Sequence, residues 1–157
     1  MNKTKKRFIV FGIMIFLMVA TPLSKPIFSN IPFDDITYYF YATYVDDRLS
    51  AKVINCGDAY IVECGLSDAP KTKSQLGGIQ GESVRIKNYS NETYTQLLNK
   101  YNNKIIKIEI VDDITIYLCY DDSLSKLVYI DGQKVNTQIS ISKSEINIGY
   151  PLILVGY

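Results

Sequence analysis

The order of apolar and polar positions divides the chain into three regimes. Residues 8–20 (FIVFGIMIFLMVA) are an unbroken apolar run directly behind the basic cluster Lys3, Lys5, Lys6 and Arg7. Residues 34–103 mix helical and strand-like spacing. From Lys104 onward the period settles at two, the signature of half-buried strands.

In the middle regime, Ile36, Tyr39, Phe40, Thr43 and Tyr44 recur at i, i+3, i+4, i+7 and i+8 behind Asp34 and Asp35, either of which can cap a helix. The spacing predicts a helix, although the β-branched and aromatic content also suits a strand. Residues 49–54 and 59–64 read as short strands around a Cys56-Gly57-Asp58 turn. Residues 66–81 are polar and glycine-rich, a loop in which Ser67 or Asp68 could start a short helix. Residues 82–87 (ESVRIK) alternate, with Val84 and Ile86 facing the core. Residues 91–101 carry the clearest helical stripe, Tyr94, Leu97, Leu98 and Tyr101, capped by Ser90 or Asn91 and closed by Asn102-Asn103, since Asn tolerates the left-handed conformation.

In the last regime Ile106, Ile108 and Ile110 are expected on one face and Lys107 and Glu109 on the other. Asp112-Asp113 turns into residues 114–120. Residues 127–130 and 135–141 flank Asp131-Gly132, which has the residues a type I′ hairpin turn demands. A final strand spans residues 145–150, and Pro151 confines it to an edge or a bulge. Short turns between successive strands predict an antiparallel meander with one apolar face, and the two helices are available to cover it. The expected fold class is therefore α+β, an antiparallel β-meander with two helices packed on one face, in a single domain over residues 34–157.

The opening segment changes what this domain is for. A basic head followed by a short apolar run is the pattern of a secretory signal. The run of 13 residues is shorter than the roughly 20 of a spanning helix. The small-residue cleavage pattern is poor, with Met18 or Pro22 three positions before the available cuts. Residues 1–24 are thus read as either a signal peptide or a membrane anchor, and residues 25–33, with Pro26 and Pro32, as an extended linker. The basic flank precedes the apolar run, so the domain is expected outside the cytoplasm, held at the membrane if the segment is uncleaved.

Charge and composition narrow the function further. The chain has 17 Lys+Arg and 16 Asp+Glu, but four of the basic residues lie before residue 24 and none of the acidic ones. The remainder keeps 13 against 16, a net charge of −3. No nucleic-acid partner is expected of such a surface. Histidine is absent, which removes Ser-His-Asp and Cys-His pairs and the commonest zinc ligand. Cys56, Cys64 and Cys119 lack C-x-x-C spacing. They read as buried apolar side chains, while Cys56 and Cys64 could also close a small loop in an oxidising compartment.

Other candidate chemistry is weak. Gly77-Gly78 and Gly81 lack the Lys-Ser/Thr of a phosphate loop. The acid pairs Asp34-Asp35, Asp46-Asp47, Asp112-Asp113 and Asp121-Asp122 sit where turns are expected. Ser140, Ser142 and Lys143 are close in sequence, but Lys143 falls in a turn. Asn88 and Asn91 match glycosylation acceptors, of little meaning in a bacterial cell. The 13 tyrosines suit either sheet packing or an interface. No catalytic, cofactor-binding or metal-binding residue is assigned.

The segments FYATYVDDRLSAKV, GIQGESVRI, ITIYLCYD, DGQKVNTQISIS and INIGYPLILVGY, in this order behind an apolar leader, resemble the YwmB-type proteins of endospore-forming bacteria over roughly residues 34–157. The resemblance implies a fold similar to the TATA-box-binding saddle and an exported location. It carries no catalytic residue. The expected function is a non-enzymatic, extracytoplasmic cell-envelope domain that binds an envelope protein or wall component, with a link to sporulation. The alternative is a carboxylate-dependent hydrolase acting on cell-wall glycan, which needs two acids about 5–9 Å apart.

Overall fold

A computed structural model describes residues 25–31, 33 and 35–153. The leader, residues 1–24, and the proposed cap Asp34 lie outside the described residues. Strand β1 spans Ile36–Val45, β2 Lys52–Asn55 and β3 Tyr60–Gly65; a single 3-10 turn leads into helix α1, Ala69–Ser74. Strand β4 spans Leu76–Lys87 and helix α2 Asn91–Tyr101. The chain continues through β5 (Ile105–Val111), β6 (Ile114–Cys119), β7 (Val128–Ile130), β8 (Gln133–Val135), β9 (Thr137–Ile141) and β10 (Glu145–Tyr150).

Eight strands form one antiparallel sheet in the order β2-β3-β1-β4-β10-β9-β6-β5, while β7 and β8 form a separate hairpin. The fold class is α+β, with a large antiparallel sheet and, among the described residues, two α-helices. Strands β5, β6, β9 and β10 neighbour one another in sequence order, as a meander does. The hairpin β7–β8 is an excursion from it, and Asp131 (φ 50°) and Gly132 (φ 77°) make the positive-φ turn foreseen at its tip. Pairing of β10 with β4 joins the two halves.

The register places Tyr38 and Phe40 of β1, Val84 and Ile86 of β4, Ile146 and Ile148 of β10, and Ile139 and Ile141 of β9 on one face. All are buried and belong to one cluster, which Ala69 of α1 and Leu97 and Tyr101 of α2 join from above. The expected helix over residues 36–44 is a strand. Tyr38, Phe40 and Ala42 are fully buried at period two, and flanking strands on both sides satisfy its main chain. Cross-strand packing of aromatic and β-branched side chains overrides the helical spacing.

Residues 25–33 are not a bare linker. Phe28 and Ile31 are buried in the main cluster, and Ser29 N–H closes a turn on the Pro26 carbonyl at 3.2 Å. These residues act as a strap across the core face.

Two further elements depart from expectation through bulges and turns. The glycine-rich stretch after α1 is the first half of β4 rather than a loop. Its pairing with β1 shifts by one between Tyr41, opposite Gly81, and Ala42, opposite Ile79, so Gln80 is the extra residue of a bulge. Gly78 has φ +59°, and a Cβ there would overlap Thr43 Oγ1; only glycine fits. In β5 the ladder runs from Ile105 opposite Cys119 directly to Lys107 opposite Leu118. Ile106 therefore leaves the face shared by Ile108 and Ile110 and packs with Ile116, Leu118 and Val135 under the hairpin. Helix α2 begins as foreseen, with Ser90 Oγ accepting from Thr93 N–H at 3.1 Å. Asn102 does not turn left-handed; it has φ −50° and ψ −45° and runs into a 3-10 turn.

Among the described residues no helix is long and apolar enough to cross a membrane.

Candidate functional site

The densest chemistry lies where the strap, α1 and β4 meet. In β4, Glu82 shares the inward side of Val84 and Ile86, so its carboxylate enters the core, 2 % exposed. Lys73 of α1 donates to Glu82 Oε1 at 2.6 Å and to the Lys25 carbonyl at 3.0 Å. Ile27 N–H donates to Glu82 Oε2 at 3.0 Å, and the Tyr38 hydroxyl donates to the same oxygen. Phe28 N–H in turn reaches the Tyr38 oxygen at 3.3 Å. Burial, then the adjacent Glu82 carboxylate, pushes the Tyr38 phenol far above its ordinary range. Both carboxylate oxygens are thus occupied by an ammonium, a phenol and a main-chain amide.

Beside this node opens a cleft of about 320 Å³, lined by Lys25, Ile27, Lys73, Glu82, Lys126 and Tyr150 among others. The Tyr150 hydroxyl accepts from Lys126 N–H at 2.7 Å, and Lys126 Nζ donates to the Ile79 carbonyl. Three lysines therefore border one carboxylate that already has partners. That arrangement can hold an anionic group; proton transfer by Glu82 would first require breaking its core contacts.

A second polar cluster lies on the opposite face. Arg85 Nε donates to Asn147 Oδ1 at 3.1 Å and its Nη1 to the Tyr39 hydroxyl at 3.3 Å. Glu145 Oε2 lies 3.5 Å from Arg85 Nε and Glu145 Oε1 accepts from Asn147 Nδ2 at 3.0 Å. Burial pushes the Tyr39 phenol up, and Arg85 opposes it. Leu152 and Ile153 pass close over Gly149 on this face, where a Cβ would overlap their backbone.

Among the described residues the acid pairs are not brought together at one cleft. Asp46 pairs with Arg48, whose hydrogen bonds hold its carboxyl below the usual range. Asp112 (φ 54°) turns β5 into β6. Burial raises Asp121, but hydrogen bonds from Lys104 and Ser123 outweigh it and hold the carboxyl low. Asn136, fully buried, clamps this loop. It accepts from Asp121 N–H at 2.8 Å and donates to the carbonyls of Asp121 and Leu124 at 2.6 and 3.3 Å. Three other clefts are lined by no acid, by Asp68 and by Asp35 respectively. None of these four clefts carries two carboxylates. Among the described residues no group of three or more Cys, Asp and Glu could hold a metal ion.

The remaining candidates are dispersed. All three cysteines are free, Cys56 exposed and Cys119 fully buried. Cys56 sits in the β2–β3 turn and Cys64 near the far end of β3, four strand positions beyond Tyr60. At about 3.3 Å per residue that is some 13 Å, beyond the reach of a disulfide. Ser140 is buried in β9, and Ser142 accepts from Glu145 N–H within its own turn at 3.3 Å; no hydrolase pair forms with Lys143. Three tyrosine tips tie segments together: Tyr38 the strap, Tyr89 the Ser142 carbonyl at 2.6 Å, Tyr150 the Lys126 amide. Tyr44 and Tyr129 are exposed.

Nothing local in the sequence names the partners of Glu82, yet part of the signal is present. Glu82 has the parity of Val84 and Ile86, which marks it as an acid on an apolar face. No family model, no curated protein and no solved structure matches this chain.

Proposed function

We propose that the chain is an exported, non-enzymatic domain of the cell envelope that binds a protein or wall component bearing an acidic group. Likeness to YwmB-type proteins extends the proposal to a role in spore formation. Export is supported by the basic and apolar leader. The binding reading is supported above all by the saturation of Glu82. The one acid of the lysine-rich cleft is committed to Lys73, Tyr38 and the strap, which leaves Lys25 and Lys126 as the charges offered to a ligand.

The test is fractionation of the tagged full chain, followed by capture of cross-linked envelope partners. The expected result is a tag outside the cytoplasm and a captured partner that Lys126→Glu releases while the melting temperature holds. A chain wholly in the cytosol with its first residues intact, or capture indifferent to Lys126, would sink the proposal.

A further inference from the structure

Strand β5 ends the sheet, with no neighbour on its outer side among the described residues. Its unpaired N–H and C=O groups are a template for another strand. Ile108, Ile110 and Val111 are 55, 75 and 52 % exposed there, a costly arrangement for an edge that meets only water. Edges are commonly protected by like charges. Here the charges alternate in sign: Lys107 and Glu109 share the other face, 2.7 Å apart, with Lys107 also 2.7 Å from Asp131.

We propose that β5 pairs antiparallel with β5 of a second copy, joining two eight-stranded sheets about a two-fold axis at Ile108. This register sets Lys107 of each copy opposite Glu109 of the other and Ile108 opposite itself. The bulge removes Ile106 from the ladder, so the next position facing Ile110 is Ile105, an apolar residue on the same side. Within residues 105–110 every facing pair is then apolar with apolar or basic with acidic, the combinations that stabilise paired strands, while Val111 falls beyond the facing strand, opposite the 3-10 turn that precedes Ile105. A shift of two residues would set Glu109 against Glu109 and Lys107 against Val111. Self-complementarity in one register is what an isologous two-fold interface requires.

The test uses the full chain with Cys56→Ser, which removes the exposed thiol, in non-ionic detergent. Facing residues of an antiparallel pair have Cα atoms about 4.5–5.5 Å apart, within disulfide range. Ile108→Cys under mild oxidation is expected to run mostly at twice the chain mass, and Val53→Cys, on the opposite edge, at the single mass. Lys107→Glu is expected to abolish the Ile108→Cys cross-link, and Lys107→Glu with Glu109→Lys to restore it. Light scattering of the chain without added cysteines should report a dimer that Lys107→Glu converts to monomer. A single-mass Ile108→Cys chain, equal cross-linking from Val53→Cys, or a dimer indifferent to both charge changes would overturn the proposal.

Discussion

Tyr38 on β1 and Glu82 on β4 are hydrogen-bonded to each other inside the core, with Lys73 of α1 closing the carboxylate from the other side at 2.6 Å. The side chains of Lys73 and Glu82 are 11 and 3 % exposed, so the pair is desolvated and its two members depend on each other.

Breaking the pair from one side should therefore cost more than removing both charges. Lys73→Met is expected to destabilise the fold by about 3–5 kcal/mol, because it strands a buried carboxylate. Lys73→Met with Glu82→Leu should recover part of this loss. A cost of roughly 1–3 kcal/mol per buried orphaned group remains at the Tyr38 hydroxyl and the Ile27 amide. Urea unfolding of the two variants and of the unaltered chain checks the ordering. A double variant less stable than Lys73→Met alone would contradict it.

Gly78, two residues before the bulge in β4, gives a backbone prediction. Gly78→Ala meets both a left-handed conformation, costing about 1–2 kcal/mol, and overlap with Thr43. Adding Thr43→Ala should relieve the overlap and leave the conformational cost. The double-mutant cycle should show a coupling well above the roughly 0.3–0.5 kcal/mol seen for independent sites.

Acid stability should depend on the loop between β6 and β7. Hydrogen bonds from Lys104 and Ser123 hold the Asp121 carboxyl below its ordinary value of about 3.9. A carboxyl that binds its proton less readily when folded stabilises the native state above that value, and the gain is lost as pH falls from there through the lower folded value. Asp121→Asn should lower stability at neutral pH and flatten its decline below about pH 4, as followed by circular dichroism.

Thiol chemistry should rank by environment. Exposed Cys56 is expected to react first with a thiol reagent. Cys64, whose thiol is raised by burial, should follow slowly. Cys119, pushed up to about 11 by burial despite the nearby Lys104, should react only when the sheet opens, because the thiolate is the reactive form. Labelling followed by mass spectrometry with and without urea reads all three.

The parts legible in the sequence are those that local rules govern. Helix α2 has a cap, a stripe and one solvent face, and its observed bounds match the spacing. The Asp131-Gly132 turn and the extent of β10 follow from turn chemistry and alternation. Strand β10 nevertheless lies between β4 and β9 rather than at the edge or bulge Pro151 implied, because the proline falls just past its last residue, Tyr150. Strand β1 resisted because it is central: Tyr39 is buried on one face and Tyr38 and Phe40 on the other, so the alternation that would mark a half-buried strand is blurred. Residues 76–81 looked like a loop because the glycines a bulge needs are also loop residues. In β5, one skipped residue reversed the side taken by Ile106, which no periodicity count anticipates. The β4–β10 pairing and the contact between residues 27 and 82 are long-range choices, set by packing. The candidate node was half legible: parity placed Glu82 inward, but nothing local named Lys73 or Tyr38 as its partners.

The strap's attachment has a mechanical consequence. Its carbonyl at Lys25 and amide at Ile27 are fastened through Lys73 and Glu82 to β4, the fourth strand of eight in the sheet. Tension arriving along the chain from before Lys25 is therefore delivered to the middle of the sheet, where strands on either side share the load, and neither outer strand is peeled away first.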